Sequence, residues 1–157
     1  MGERYPDNVT IRIMKTADIA ACAAIVGETP LWRERYGIST GRAETLFESA
    51  MERNDGLLVA DANGEVIGFA WFLARGAFGR SGYLRLIGVR SDHRNSRAGG
   101  ALLNAVESAV GDDLFVLVSD FNTDARRFYE RHGYNVIGML PGYLLPDVTE
   151  VLLWRRK

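Results

Sequence analysis

The chain has 157 residues, 47% of them hydrophobic and 25% charged, a composition that suits a folded globular protein able to bury a core without disulfides or metal staples. A net charge of −1 argues against general affinity for nucleic acid. Cys22 is the only cysteine, which excludes an internal disulfide and a thiolate metal cluster, and two isolated histidines, His93 and His132, do not suggest a zinc site.

The opening "MGERYPDNVTIRI" lacks the apolar block of a signal peptide, and no apolar run nears the ~20 residues that span a bilayer. A cytoplasmic protein without a membrane partner is expected. "VTIRIM" alternates like a strand. Thr16 is placed to cap a helix from Ala17 whose apolar face is Ile19, Cys22, Ala23 and Val26; Gly27 and Pro30 end it. "ETPLWRERYGIST" reads as a loop, and Thr40 opens a second helix with Ala43, Leu46, Phe47, Ala50 and Met51 inward. "LLVA" and "EVIGFAWFLA" flank an Asn-Gly turn, a hairpin signal. "RGAFGRSG" reads as a loop and "YLRLIGV" as a third consecutive strand. A helix over about Ala98–Val110, the strand "LFVLV", a short helix capped by Asn122 and ended by Gly133, and the strands "YNVIGML" and "TEVLLWR" complete the chain. The order β-α-α-β-β-β-α-β-α-β-β implies one α+β or mixed α/β domain over residues 1–157.

The stretch "GVRSDHRNSRAGGALLNAV", Gly88 to Val106, leaves a strand, passes through a basic loop and enters a helix. A helix start presents unpaired N–H groups and the positive end of a dipole. Gly99 and Gly100 let a ligand approach the backbone, and Arg94 and Arg97 add charge, so the segment suits a pyrophosphate. A solvated basic loop would look similar. The Lys-Ser/Thr of a Walker A loop is absent, and so is the three-glycine spacing of a dinucleotide fold.

Twenty-eight residues after Arg94 comes "NTDARRFYERHGY". Its spacing, N-x-x-A-x-x-F-Y-x-x-x-G-Y, resembles a motif of the GCN5-related N-acetyltransferases, the GNAT family. "VRSDHRNSRAGGALL" resembles that family's acetyl-CoA signature, V-x-P-x-x-R/Q-x-x-G-x-G/A-x-x-L-L, with Ser91 in place of the proline and Arg97 in place of the first glycine. The resemblance covers nearly the whole chain. It implies the GNAT fold: a mixed, mostly antiparallel sheet of about seven strands flanked by four helices. It further implies an acetyl-CoA-dependent N-acetyltransferase, with acetyl-CoA as cosubstrate and no metal.

Carried over by residue, the backbone of Ile87, Gly88 and Val89 pairs with the pantetheine arm. Arg94, Asn95, Ser96, Arg97, Ala98, Gly99 and Gly100 surround the pyrophosphate. Arg97 either obstructs that group or swings outward to grip it. Asn122 bonds the pantetheine, or caps its helix, and Tyr129 is the acid that protonates the departing thiolate. The family often places a glutamate on the fourth strand as base, but "YLRLIGV" has no carboxylate; Glu28, Glu34 and Asp120 are the candidates. Trp32, Tyr36, Phe78 and Tyr143, with Arg33, Arg35 or Arg80, are candidate walls of the acceptor site. The acceptor is a small-molecule amine or a peptide N-terminus, and family habit suggests a homodimer. Two other readings stand beside this one: a catalytically idle acyl-CoA-binding sensor or interaction module, and a nucleotide-binding protein that uses the same loop for ATP.

Overall fold

The computed structural model describes residues 9–94 and 96–157. Strand β1 (Val9–Ile13) leads through a 3-10 turn, Thr16–Asp18, into helix α1 (Ile19–Glu28). The helix therefore begins two residues later than the sequence pattern predicts, and Thr16 is not its cap. Asp18 organises the entry instead. Its carboxylate accepts the Lys15 N–H at 2.7 Å and both arms of the Arg12 guanidinium at 2.7 and 3.0 Å. These donors hold the Asp18 carboxyl below its ordinary pKa.

The expected loop after α1 contains a π-helical turn, Leu31–Arg35. Helix α2 (Thr40–Glu52) is capped by Ser39, whose hydroxyl accepts the Arg42 N–H at 3.2 Å. Strands β2 (Gly56–Ala62) and β3 (Glu65–Ala77) meet at Asn63-Gly64. Both turn residues have positive φ, 55° and 89°, as a two-residue hairpin with the right twist requires. Strand β4 (Ser81–Val89) follows a tight turn at Phe78 and Gly79, with φ of 59° and 65°. The hairpin thus reaches further into "RGAFGRSG" than its glycines suggest. Helix α3 (Ala98–Val110), β5 (Leu114–Ser119), α4 (Thr123–Arg131), β6 (Asn135–Pro141) and β7 (Thr149–Arg155) follow. The seven strands hydrogen-bond in the order β1-β2-β3-β4-β5-β7-β6. β4 and β5 run parallel, while β1 with β2, β5 with β7 and β6 with β7 run antiparallel.

Chain contacts group into two units. One takes the chain up to Trp71 together with Leu86–Val106, and the other joins Phe72–Arg85 to Glu107–Lys157. In the first, α1 and α2 bury Cys22, Ala23, Val26, Phe47 and Ala50 against Val59, Phe69 and Trp71. The Phe47 ring lies 5.2 Å from Phe69 and 5.7 Å from Trp71. Each large side chain closed in this way contributes roughly 1.5–3 kcal/mol. Burial pushes the Cys22 thiol up to about 12, so it remains protonated and serves as packing.

In the second unit, alternate residues of β5, Leu114, Val116 and Val118, are buried on one face together with Val151 and Leu153 of β7. The other face carries an aromatic row: Phe78 meets Phe115 edge-on at 5.5 Å, and Phe115 stacks on Trp154 at 5.9 Å.

Candidate functional site

Within the first unit, the chain runs from the end of β4 into α3 through the segment that the sequence reading assigns to a pyrophosphate. The parallel ladder between β4 and β5 covers Gly82–Leu84 and Leu114–Val116, and β4 then continues to Val89. Ile87, Gly88 and Val89 are half-buried. Gly88 is a glycine for steric reasons: a Cβ there would lie 2.9 Å from Phe69 and 3.0 Å from the Trp32 ring. Trp32, carried by the π-helical turn, thus lies directly over the β4 backbone.

Arg90 anchors the loop. Its N–H donates to the Ile67 carbonyl at 2.7 Å, and its guanidinium donates to both oxygens of Asp92, at 2.7 and 3.1 Å, and to Glu65 at 2.6 Å. That fork holds the Asp92 carboxyl below its ordinary pKa. A 3-10 turn, Ser91–His93, follows. Both the N–H and the hydroxyl of Ser96 donate to the His93 carbonyl. Arg94 and Arg97 are exposed, Ala98 is buried, and Gly99 and Gly100 are half-buried. Asn95 lies outside the described residues.

Arg97 has a φ of +62°, in the left-handed region where side chains are disfavoured and glycine is at ease. Its carbonyl accepts the Ala101 N–H at 3.1 Å, so this residue closes the first turn of α3. A bend of this hand at the helix entry explains why a glycine is expected here, and the chain makes the same bend with an arginine. Beyond it, the N–H groups of Ala98, Gly99 and Gly100 belong to the helix turn that has no intrahelical acceptors.

The second unit holds the other motif, and its spacing follows from helix capping. The Asn122 side chain accepts the Ala125 N–H at 3.3 Å, which is the capping role. At the far end Gly133, with φ +89°, donates to the Glu130 carbonyl at 3.1 Å, and the Tyr134 N–H reaches back to the Tyr129 carbonyl at 3.1 Å. This pair of bonds is a Schellman motif. It fixes the last turn of α4 and sets the Tyr129 and Tyr134 rings edge-on at 5.5 Å. Tyr134 donates to Glu107 at 3.0 Å, and Arg155 donates to the other oxygen of that carboxylate at 2.8 Å.

Tyr129 is buried and packs on Phe128 and Tyr134. Burial, and to a smaller degree the nearby Tyr83, raise its pKa above the ordinary phenol range, so its proton stays on at any physiological pH. Among the described residues its hydroxyl makes no hydrogen bond, although every fully enclosed side-chain nitrogen or oxygen is paired.

The candidate bases are surface groups. Glu28, Glu34 and Asp120 are all exposed, and Glu34 accepts a bond from Arg33 at 3.1 Å. The candidate pocket aromatics fall in both units. Trp32 and Tyr36 are in the first unit, whereas Phe78, 84% exposed, and Tyr143, 61% exposed, are in the second. The enclosed carboxylate of the second unit is one that sequence reading passed over. Glu150 on β7 is 2% exposed, and the Ser119 hydroxyl donates to it at 3.3 Å. Its only sequence signal is a charge one residue inside an apolar strand, "TEVLLWR". Among the described residues no group of three or more His, Cys, Asp or Glu is arranged to hold a metal ion, and no helix is long and apolar enough to cross a membrane.

A model of the acetyltransferase (GNAT) family matches residues 24–134, more than two thirds of the chain. The chain belongs to the GNAT acetyltransferase family. An uncharacterized N-acetyltransferase of Bacillus subtilis strain 168, YhfO, is 30% identical over 136 residues, spanning 80% of this chain and 89% of that one. Among solved structures, an N-acetyltransferase from Staphylococcus aureus Mu50 superposes with a TM-score of 0.78 at 18% identity, over 96% of this chain and 99% of the other. The structure of yncA from Salmonella typhimurium, which holds acetyl-CoA as its cofactor, superposes with a TM-score of 0.75 at 21% identity, over 96% and 94%. The seven-stranded mixed sheet with four α-helices is thus the GNAT fold, as the two motifs imply.

Proposed function

We propose that this GNAT protein transfers an acetyl group from acetyl-CoA directly to a primary amine, of a small molecule or of a peptide N-terminus. The observation that carries this reading is Tyr129. A protonated phenol, held on a helix capped at each end, lies at the position the family motif gives to the acid. The start of α3 supports it: the first-turn amides, which have no intrahelical acceptors, two glycines and exposed Arg94 and Arg97 have the chemistry of a diphosphate cradle.

In this reading the backbone of Ile87, Gly88 and Val89 pairs with the amides of the pantetheine arm as an added strand would. Ser96, Ala98, Gly99 and Gly100 receive the pyrophosphate, flanked by Arg94 and Arg97, and Asn95 belongs to the same turn. Asn122 caps α4 and so holds Tyr129 in place. A backbone N–H at the end of β4 polarises the thioester carbonyl.

Tyr129 donates its proton to sulfur as the C–S bond breaks. An unperturbed thiol near ~8.5 and a phenol near ~10 would make that transfer uphill by about 2 kcal/mol. Enclosure disfavours a thiolate as it does a phenolate, so burial of both groups keeps that difference modest.

Calorimetric titration with acetyl-CoA, followed by CoA release with a panel of alkyl amines, amino-acid amides and short peptides, tests the proposal. Micromolar binding with amine-dependent CoA release is expected. Binding without turnover on any amine would favour an acyl-CoA-binding module, the reading that the lack of a carboxylate on β4 motivates.

A further inference from the structure

Direct transfer to an amine needs a group that removes a proton, since an alkyl ammonium with a pKa near ~10 is no nucleophile at neutral pH. β4 offers no carboxylate, and the three acidic residues suggested by sequence lie exposed.

The sheet register of the second unit leads to a different residue. Tyr83 on β4 is paired with Phe115 on β5. Counting by twos along β5 from Phe115 reaches Leu117 and Ser119 on the same face, and Ser119 is paired with Glu150 on β7. Tyr83, Arg85, Ser119 and Glu150 therefore share one face of the sheet. The electrostatics agree with this geometry. The Tyr83 phenol, raised chiefly by burial, also feels Arg85, Tyr143 and Glu150, while Tyr129 feels Tyr83. A tyrosine trio, a serine and a carboxylate thus occupy one neighbourhood of a single unit.

We infer that Glu150 is the carboxylate that receives the acceptor's ammonium group and takes its proton, with Ser119 as its positioning residue. This rests on the acetyltransferase reading above. The proton passes from R–NH3+ to the Glu150 carboxylate and on to water. The neutral amine forms the C–N bond to the acetyl carbon as the C–S bond breaks. The thiolate takes the Tyr129 proton, and the second proton shed by nitrogen restores the phenol, so the products are the amide, CoA thiol and one released proton. The acceptor class that fits is a cationic amine whose neighbouring surface is apolar or aromatic, in keeping with Tyr83 and Tyr143.

The test compares wild type with Glu150→Gln across amines of graded pKa, at one pH and with acetyl-CoA saturating. Wild type that releases no CoA with any amine would overturn the acetyltransferase reading itself. Given turnover, kcat/KM for the variant should fall about 100-fold with alkyl amines near pKa ~10 and only a few-fold with amines already neutral at pH 7, since a general base commonly contributes 10²–10⁴. Equal loss at every amine pKa would overturn the inference and leave Glu150 a structural acid. Ser119→Ala retains the carboxylate and guards against a misfolded Gln variant. It should show the same dependence on amine pKa at smaller size, and a flat profile in both variants would again refute the role.

Discussion

Replacing Arg97 tests the loop most directly, because two effects of the residue can be separated. Its φ of +62° costs an L-residue about 1–2 kcal/mol relative to glycine. Arg97→Gly removes that strain but frees the unfolded chain by about 0.4–1 kcal/mol, so the net gain is about 0.5–1 kcal/mol. With 157 residues and an unfolding entropy of ~2.1 cal/mol/K per residue, that shifts Tm upward by about 2–3 °C. The charge acts separately. A guanidinium ~4 Å from a phosphate gains about 1 kcal/mol in water and more where solvent is partly excluded; for an exposed side chain about 1–2 kcal/mol is reasonable, a 5- to 30-fold loss of acetyl-CoA affinity in the variant.

Arg97→Ala isolates the charge, since alanine has the same difficulty at positive φ. It should lose as much affinity as Arg97→Gly without the gain in Tm, and both losses should shrink as salt is raised. Calorimetric titration at two ionic strengths and thermal unfolding of the three proteins give the answer. Tighter binding by Arg97→Gly would refute the phosphate role and make Arg97 an obstruction. Equal Tm in the glycine and alanine variants would refute the strain argument.

Tyr129→Phe should leave Tm and acetyl-CoA affinity nearly unchanged, because the ring contacts stay and no partner loses a bond, while kcat falls about 100-fold; undiminished turnover removes Tyr129 from the chemistry. Asp18→Asn should cost about 1.5–3 kcal/mol at pH 7, since its carboxylate is held by Arg12 and the Lys15 N–H. The Asp18 pKa is lowered in the folded state, so its contribution is complete above the unfolded value of ~3.9 and fades as pH falls below it; urea unfolding at pH 7 and pH 3 should show the gap between wild type and variant closing in acid. Gly88→Ala should destabilise by about 1–3 kcal/mol through overpacking against Phe69 and Trp32. Adding Trp32→Ala should recover part of that loss, whereas strictly additive losses in urea unfolding would mean the two sites do not touch.

Local rules accounted for the order of elements, the Asn-Gly hairpin, the span of α3 and both motifs, because periodicity, turn residues and caps act within a few residues of chain. The motif from Asn122 to Tyr134 is legible for the same reason. Its asparagine, glycine and tyrosine sit where a helix cap and a Schellman turn require them, so the position of Tyr129 follows from the sequence alone. Only the tertiary structure decided which charged residues are enclosed. Asp18, not Thr16, organises the entry to α1 because Arg12 reaches it from β1, and Glu150 is closed in because register sets it opposite Ser119. In a string, Glu28, Glu34 and Glu150 are equivalent carboxylates. The enclosure of Glu150 depends on strand pairing between residues 31 positions apart, which no local pattern encodes.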